Sequence, residues 1–129
     1  MAPVTVSLDP AEPKVGIVAL IGEHDAYSAG RIENELALLL DAGIHVVVDL
    51  TDATFIDSQT LSVLLGARHT AEQRSLGFVL VLREQDHTQV HRILDMTGLV
   101  SAFVIEPTLE RARAATRDGR AVPERLKVA

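Results

Sequence analysis

The stretch Ile44–Leu50, IHVVVDL, constrains this chain more than any other. It is short, almost continuously apolar and rich in β-branched side chains. A strand with one wet face would alternate apolar and polar residues, so this one reads as a strand covered on both faces. Helical periodicity flanks it. Before it, Ala29, Ile32, Leu36, Leu39 and Leu40 recur at spacings of three and four, until Asp41-Ala42-Gly43 stops the pattern. After it, the seven-residue connection TDATFID leads into a second helix from about Ser58 to Arg74. A doubly covered strand between two helices predicts an α/β protein.

The remaining elements follow the same alternation. Residues 3–8 (PVTVSL) alternate weakly and suit an edge strand. After the Pro10–Pro13 turn, Val15–Ile21 reads as a more buried strand closed by Gly22. Gly77 opens a third inner strand, Phe78–Leu82, followed by a helix over about Thr88–Met96 that ends at Thr97-Gly98. A short strand at Ala102–Ile105 and a helix from Thr108 complete the series. The expected order is β-β-α-β-α-β-α-β-α. Strands joined through helices require right-handed crossovers and a mainly parallel inner sheet, with helices packed on it. The first strand enters through a tight turn and is expected antiparallel at one edge. One domain is expected over residues 1–116, with a basic C-terminal tail, 117–129, expected to fray.

Composition excludes several classes of function. The 129 residues contain no cysteine, which removes disulfides, thiolate metal sites and cysteine nucleophiles. Aromatics make up only 3%, so the core must be aliphatic. The net charge of −6 is uneven: residues 1–110 carry sixteen Asp/Glu and six Lys/Arg, whereas residues 111–129 carry two and six. An acidic body with few aromatic rings is a poor phosphate-backbone binder and stacking platform, so no nucleic-acid partner is expected. No apolar run reaches the ~18 residues of a membrane span and no leader pattern opens the chain. No membrane partner is expected, and the expected location is cytoplasmic.

Catalytic and metal chemistry find little support. There is no P-loop, GxGxxG or HExxH motif. Of five histidines (His24, His45, His69, His87, His91), only His87 and His91 have an i, i+4 ligand spacing, and no carboxylate pattern completes a site around them. Ser58 follows a strand and starts a helix, in outline a nucleophile elbow, but Ile56 and Thr60 stand where the flanking glycines would be. No catalytic residue, metal or cofactor is expected. What survives at Ser58 is local physics with two readings. It is an N-cap whose oxygen accepts a first-turn N–H, or it is an acceptor for a phosphate that the helix N-terminus would hold. Position alone favours the cap.

Three stretches together resemble the STAS domain of bacterial anti-sigma factor antagonists. Leu20-Ile21-Gly22-Glu23-His24-Asp25 is similar to the family's L-x-G-E-x-D. Val46-Val47-Val48-Asp49-Leu50, then Phe55-Ile56-Asp57-Ser58 and Leu61, is similar to its hydrophobic strand and D-S-[ST]-G-L loop. Ile93-Leu94-Asp95-Met96-Thr97-Gly98-Leu99 is similar to L-x-x-[ST]-G-L. The resemblance implies a protein that, unphosphorylated, binds an anti-sigma factor that is also a serine kinase and so releases a sigma factor. Phosphorylation on Ser58 switches binding off, and a phosphatase restores it. It implies no catalysis by the chain itself. It places Asp25, Asp57 and Ser58 at the site, and with Gln59, Ser62 and Gly66 these are the expected partner-binding residues.

This sequence departs from the pattern at Gln59 and Thr60, where the family has Ser or Thr and then Gly. The alternative is a non-phosphorylated STAS subunit of a stress-signalling complex or lipid-transport accessory protein, in which Ser58 only caps. With no fused segment in the sequence, the tethered kinds fit less well. Helical phase adds one expectation. Thr60 falls in line with Leu64, Ala67 and Ala71, an apolar stripe turned to the sheet, whereas Ser58 aligns with Ser62, Gly66 and His69 on an exposed row.

Overall fold

The computed structural model describes residues 3–84 and 88–124. At its centre is β4 (His45–Asp49), the strand whose composition demanded two covered faces. Val46, Val47 and Val48 are fully buried. Successive side chains of a strand point to opposite faces, so these three enter two separate cores. Val46 and Val48 pack with Ile32, Leu36 and Leu40 of α1 (Ala26–Asp41), Leu61 and Leu64 of α2 (Ser58–Gln73), and Val90 and Leu94 of α3 (Gln89–Met96). Val47 packs on the other face with Val15, Val79, Val104 and the alanines Ala112 and Ala115 of α4 (Leu109–Arg117). Each buried valine contributes about 1.5–3 kcal/mol of transfer free energy, which fixes the register of the central strand.

The main sheet has the order β1-β2-β4-β6-β7, with β1 (Val4–Asp9), β2 (Val15–Leu20), β6 (Phe78–Val81) and β7 (Val104–Glu106) around the central strand. The pairs β2–β4, β4–β6 and β6–β7 are parallel, and β1 lies antiparallel to β2 at the edge. This is the α/β architecture the sequence predicts.

Two strands were not expected. β3 (Gly22–His24) and β5 (Ala53–Ile56) form a separate two-stranded parallel sheet. Gly22, read as the end of a strand, has φ +81, a left-handed bend after which the chain resumes as β3 with a register shift. The TDATFID connection contains β5. Further on, residues Leu99–Ala102 form a short 3₁₀ turn, so the last strand begins at Val104 rather than Ala102.

The described part of the basic C-terminal region packs against the body of the domain. Phe78 N–H donates to the Arg120 carbonyl at 2.9 Å. Ala121 and Val122 are buried. Arg117 and Arg113 lie 2.6 and 3.8 Å from the Asp9 carboxylate, tying α4 to β1. The Arg117 hydrogen bond is the main cause that holds Asp9 below its usual pKa. Residues 125–129 lie outside the described residues.

Candidate functional site

The small β3–β5 sheet creates the site. His24 pairs with Ile56, and the Asp57 N–H donates to the His24 carbonyl at 3.1 Å. The next residue of each chain segment is an aspartate, and each aspartate starts a helix. Asp25 caps α1, its Oδ1 accepting from the Tyr27 N–H at 2.9 Å. Asp57 caps α2, its Oδ1 accepting from the Thr60 N–H at 2.8 Å. Parallel pairing of the two strands therefore sets two helix N-termini, and two carboxylates, side by side.

Asp57 takes the capping role that position alone had assigned to Ser58. Ser58 is the first residue of α2 and is exposed, as are Gln59 and Ser62 after it. Gly66 and His69 are exposed on the same row of the helix. Gly66 lies along a groove of about 320 Å³ between α1 and α2, with Ala37, Leu40 and Val63 among its walls. Of the implied site residues, Asp25, Asp57, Ser58 and Gln59 come together at the helix starts, and Ser62 and Gly66 extend the row along α2.

Thr60 behaves differently. It is fully buried, as are Leu64 and Ala71 in line with it. Its hydroxyl donates to the His24 carbonyl at 3.3 Å. The β-branched residue in place of the family's glycine thus leaves the helix start regular, its hydroxyl bonding β3 across the small sheet. A regular start also leaves first-turn N–H groups facing outward, a setting that suits an anion.

Two further residues support this edge, a role that the sequence assigned to neither. Gln89, at the start of α3, makes paired bonds to Ile56: the Ile56 N–H donates to Oε1 and Nε2 donates to the Ile56 carbonyl, both at 2.9 Å. Its amide occupies the free side of β5 as a neighbouring strand would, anchoring the residue just before Asp57. His24 is the second. It is fully buried, with Nε2 at 3.0 Å from the Ile21 carbonyl and Nδ1 at 3.1 Å from Ser28 Oγ. A carbonyl only accepts, so in the neutral ring Nε2 carries the proton and Nδ1 is an acceptor facing Ser28 Oγ, whose single proton it shares with the Asp25 carbonyl 3.2 Å away. Burial pushes the His24 pKa down, against smaller upward effects of the Ile21 carbonyl and Asp25.

The described histidines do not converge on a metal site. His24 follows the end of β2, whereas His45 pairs with Val15 at its start and accepts from the Gly77 N–H at 2.8 Å. His87 lies outside the described residues. Among the described residues no three His, Asp or Glu side chains gather in a way that could hold a metal.

A model of the STAS domain matches residues 9–112. The chain belongs to the STAS-domain family. The match covers both helix starts and four of the five main-sheet strands, β2, β4, β6 and β7. An anti-sigma-B factor antagonist of Listeria monocytogenes is 31% identical over 90 residues, covering 69% of this chain and 76% of the relative. The crystal structure of an anti-sigma factor antagonist from Mycobacterium paratuberculosis superimposes with a TM-score of 0.69 at 28% identity, covering 90% of this chain and 96% of that one. A putative antagonist from Thermotoga maritima shares the fold, with a TM-score of 0.72 at 22% identity over 87% of this chain and 94% of that one. Among the described residues of this STAS protein no helix is long and apolar enough to cross a membrane.

Proposed function

We propose that this STAS protein is an anti-sigma factor antagonist that binds an anti-sigma factor serine kinase through the start of α2 and is released when that kinase phosphorylates Ser58. A phosphatase acting on the modified serine resets it, and the chain itself performs no catalysis. The observation that carries this reading is the division of labour at the helix start. Asp57 does the capping, Thr60 is buried, and Ser58 presents a hydroxyl to solvent with no structural duty.

A phosphate there would bring about −1.5 to −2 charges beside Asp57 and Asp25. First-turn N–H groups can hold it, so the fold changes little. The partner meets the added charge and bulk instead, on a surface fitted to a neutral hydroxyl, and binding is lost. The relatives named as antagonists support the same direction.

The test is incubation with ATP and purified anti-sigma factor kinases, the Listeria anti-sigma-B factor first among them, with phosphopeptide sequencing and calorimetry. Label is expected on Ser58 alone, with loss of binding after phosphorylation. Ser58→Ala should stay bound under the same conditions. Label on Thr60, or a phosphorylated chain that still binds, overturns the reading.

A further inference from the structure

The chain has four aromatic residues, three Phe and one Tyr. Phe78 and Phe103 are core residues, 0% and 3% exposed, whereas Tyr27 is 88% and Phe55 38% exposed. Both exposed rings stand at the edge that carries Ser58. Phe55 lies on β5 opposite Glu23 of β3, three residues before Ser58, while Ala53 and Ile56 of the same strand turn inward. Tyr27 is the second residue of α1, its N–H bonded to the Asp25 cap. Ile21, which leads into β3, is 36% exposed. A protein so poor in aromatics has two of its four exposed, both on the segments that the β3–β5 pairing joins.

The charge around them is one-sided. Segments 21–27 and 51–59 contain Glu23, Asp25, Asp52 and Asp57 and no Lys or Arg. Asp52 belongs to this edge because its carbonyl accepts from the Gly22 N–H at 2.9 Å. Rings framed by acids have the make-up of an interface with an apolar centre and a charged rim. Tyr and other large aromatics are the residues that most often dominate such contacts.

We propose that Tyr27 and Phe55 are the two anchors by which the anti-sigma factor grips this protein. That partner would offer apolar slots for two rings, rimmed by basic side chains that meet Glu23, Asp25 and Asp52. A second copy of this chain fits poorly, since it would set the same four acids against each other. The inference rests on the proposed binding through the start of α2 and adds what holds the partner there. Ser58 then decides release, while the rings supply the affinity that phosphorylation must overcome.

The probe is the anti-sigma factor that labels Ser58 in the kinase assay, and the readout is its affinity for the full unphosphorylated chain. Tyr27→Ala should lower affinity about tenfold or more, and Tyr27→Phe should keep it. Phe55→Thr, which retains a β-branched residue on β5, should lower it comparably. Leu38→Ala removes another exposed apolar side chain of α1, about 16 Å further along the helix, and should change affinity less than about twofold. Affinity of the wild type should fall as salt rises. Thermal melts of each variant separate loss of contact from loss of fold. If Tyr27→Ala and Phe55→Thr both bind within about twofold of wild type, the anchors are wrong although the antagonist reading stands. A wild-type chain that no anti-sigma factor binds defeats the antagonist reading itself. A dimer by light scattering that Phe55→Thr dissolves assigns the rings to self-association and overturns the proposal.

Discussion

The starts of α1 and α2 are built on one plan and used differently. Each follows a strand of the β3–β5 sheet, each is capped by an aspartate, and each places a buried hydroxyl at its third position, Ser28 and Thr60. They differ in the residues turned outward. α1 shows Ala26 and Tyr27, and α2 shows Ser58 and Gln59. They also differ just before the cap, where His24 stands opposite Ile56. Where the geometry is shared, the residues serve folding. The residues that are free to differ are the exposed ones, and these carry the proposed chemistry: a ring for holding on at one helix, a hydroxyl for letting go at the other.

The largest effect that tests this contrast is on binding. Ser58→Asp puts a permanent charge on the switching helix. It should weaken the anti-sigma factor complex by about 2 kcal/mol or more, because an unpaired charge would be desolvated in the interface. Calorimetry on a variant whose melting curve matches wild type reads this directly. Unchanged affinity would show that the first position of α2 is no part of the bound surface, and the two helix starts would then be equivalent.

Next in size are the two buried hydroxyls, which look alike in sequence and should not cost alike. Ser28→Ala removes the hydroxyl that His24 Nδ1 and the Asp25 carbonyl share; the carbonyl keeps two backbone N–H donors, but Nδ1 is left a buried acceptor alone, an expected loss of about 1–3 kcal/mol in urea unfolding. Thr60→Val keeps the shape, and the His24 carbonyl retains the Asp57 N–H, so about 0.5–1.5 kcal/mol is expected. Equal losses would mean that the Ser28–His24 pair is not structural.

The same pair sets a pH dependence. His24 is held below its ordinary 6.5 by burial. As pH falls through 6.5, the unfolded chain takes up a proton that the folded ring refuses, so stability declines until the folded ring also protonates. Above that range the contribution is flat. His45 is likewise pushed down by burial, with Arg117 adding to it, so both rings contribute in the same direction. Ring titration by NMR checks each one, and a His24 ring that titrates above 6.5 removes the effect.

Strong, long patterns made the main sheet and helices legible. The run of valines in β4 has no other stable home than between two apolar layers, and the three-four spacing of α1 reads clearly. The β3–β5 sheet was not legible. Its strands are three and four residues long, they lack alternation, and their pairing joins segments some thirty residues apart. The site suffered most from this, since that pairing is what sets Asp25 beside Asp57. Helical phase did separate Thr60 from Ser58, because one side of α2 is buried at Thr60, Leu64 and Ala71, with Ala67 between them half-buried beside the α1–α2 groove. Gln89 was out of reach: an amide that mimics a strand edge has no sequence signature, and its partner Ile56 lies 33 residues away.

The smallest predicted effect separates a switch from a cap. Had Ser58 been the N-cap of α2, Ser58→Ala would cost about 0.5–2 kcal/mol, as cap removal generally does. Asp57 holds that place, its carboxylate 2.8 Å from the Thr60 N–H, and Ser58 stands one residue inside the helix. Alanine is the better helix former there, by at most a few tenths of a kcal/mol at an exposed position. Ser58→Ala should therefore leave unfolding within about 0.5 kcal/mol of wild type, with any shift toward greater stability. Asp57→Ala is the matched control and should show the loss that Ser58→Ala does not. Urea unfolding of both variants decides it. A loss above about 1 kcal/mol for Ser58→Ala would return the serine to a structural role, and with it the assembly-subunit alternative in which that hydroxyl never carries a phosphate.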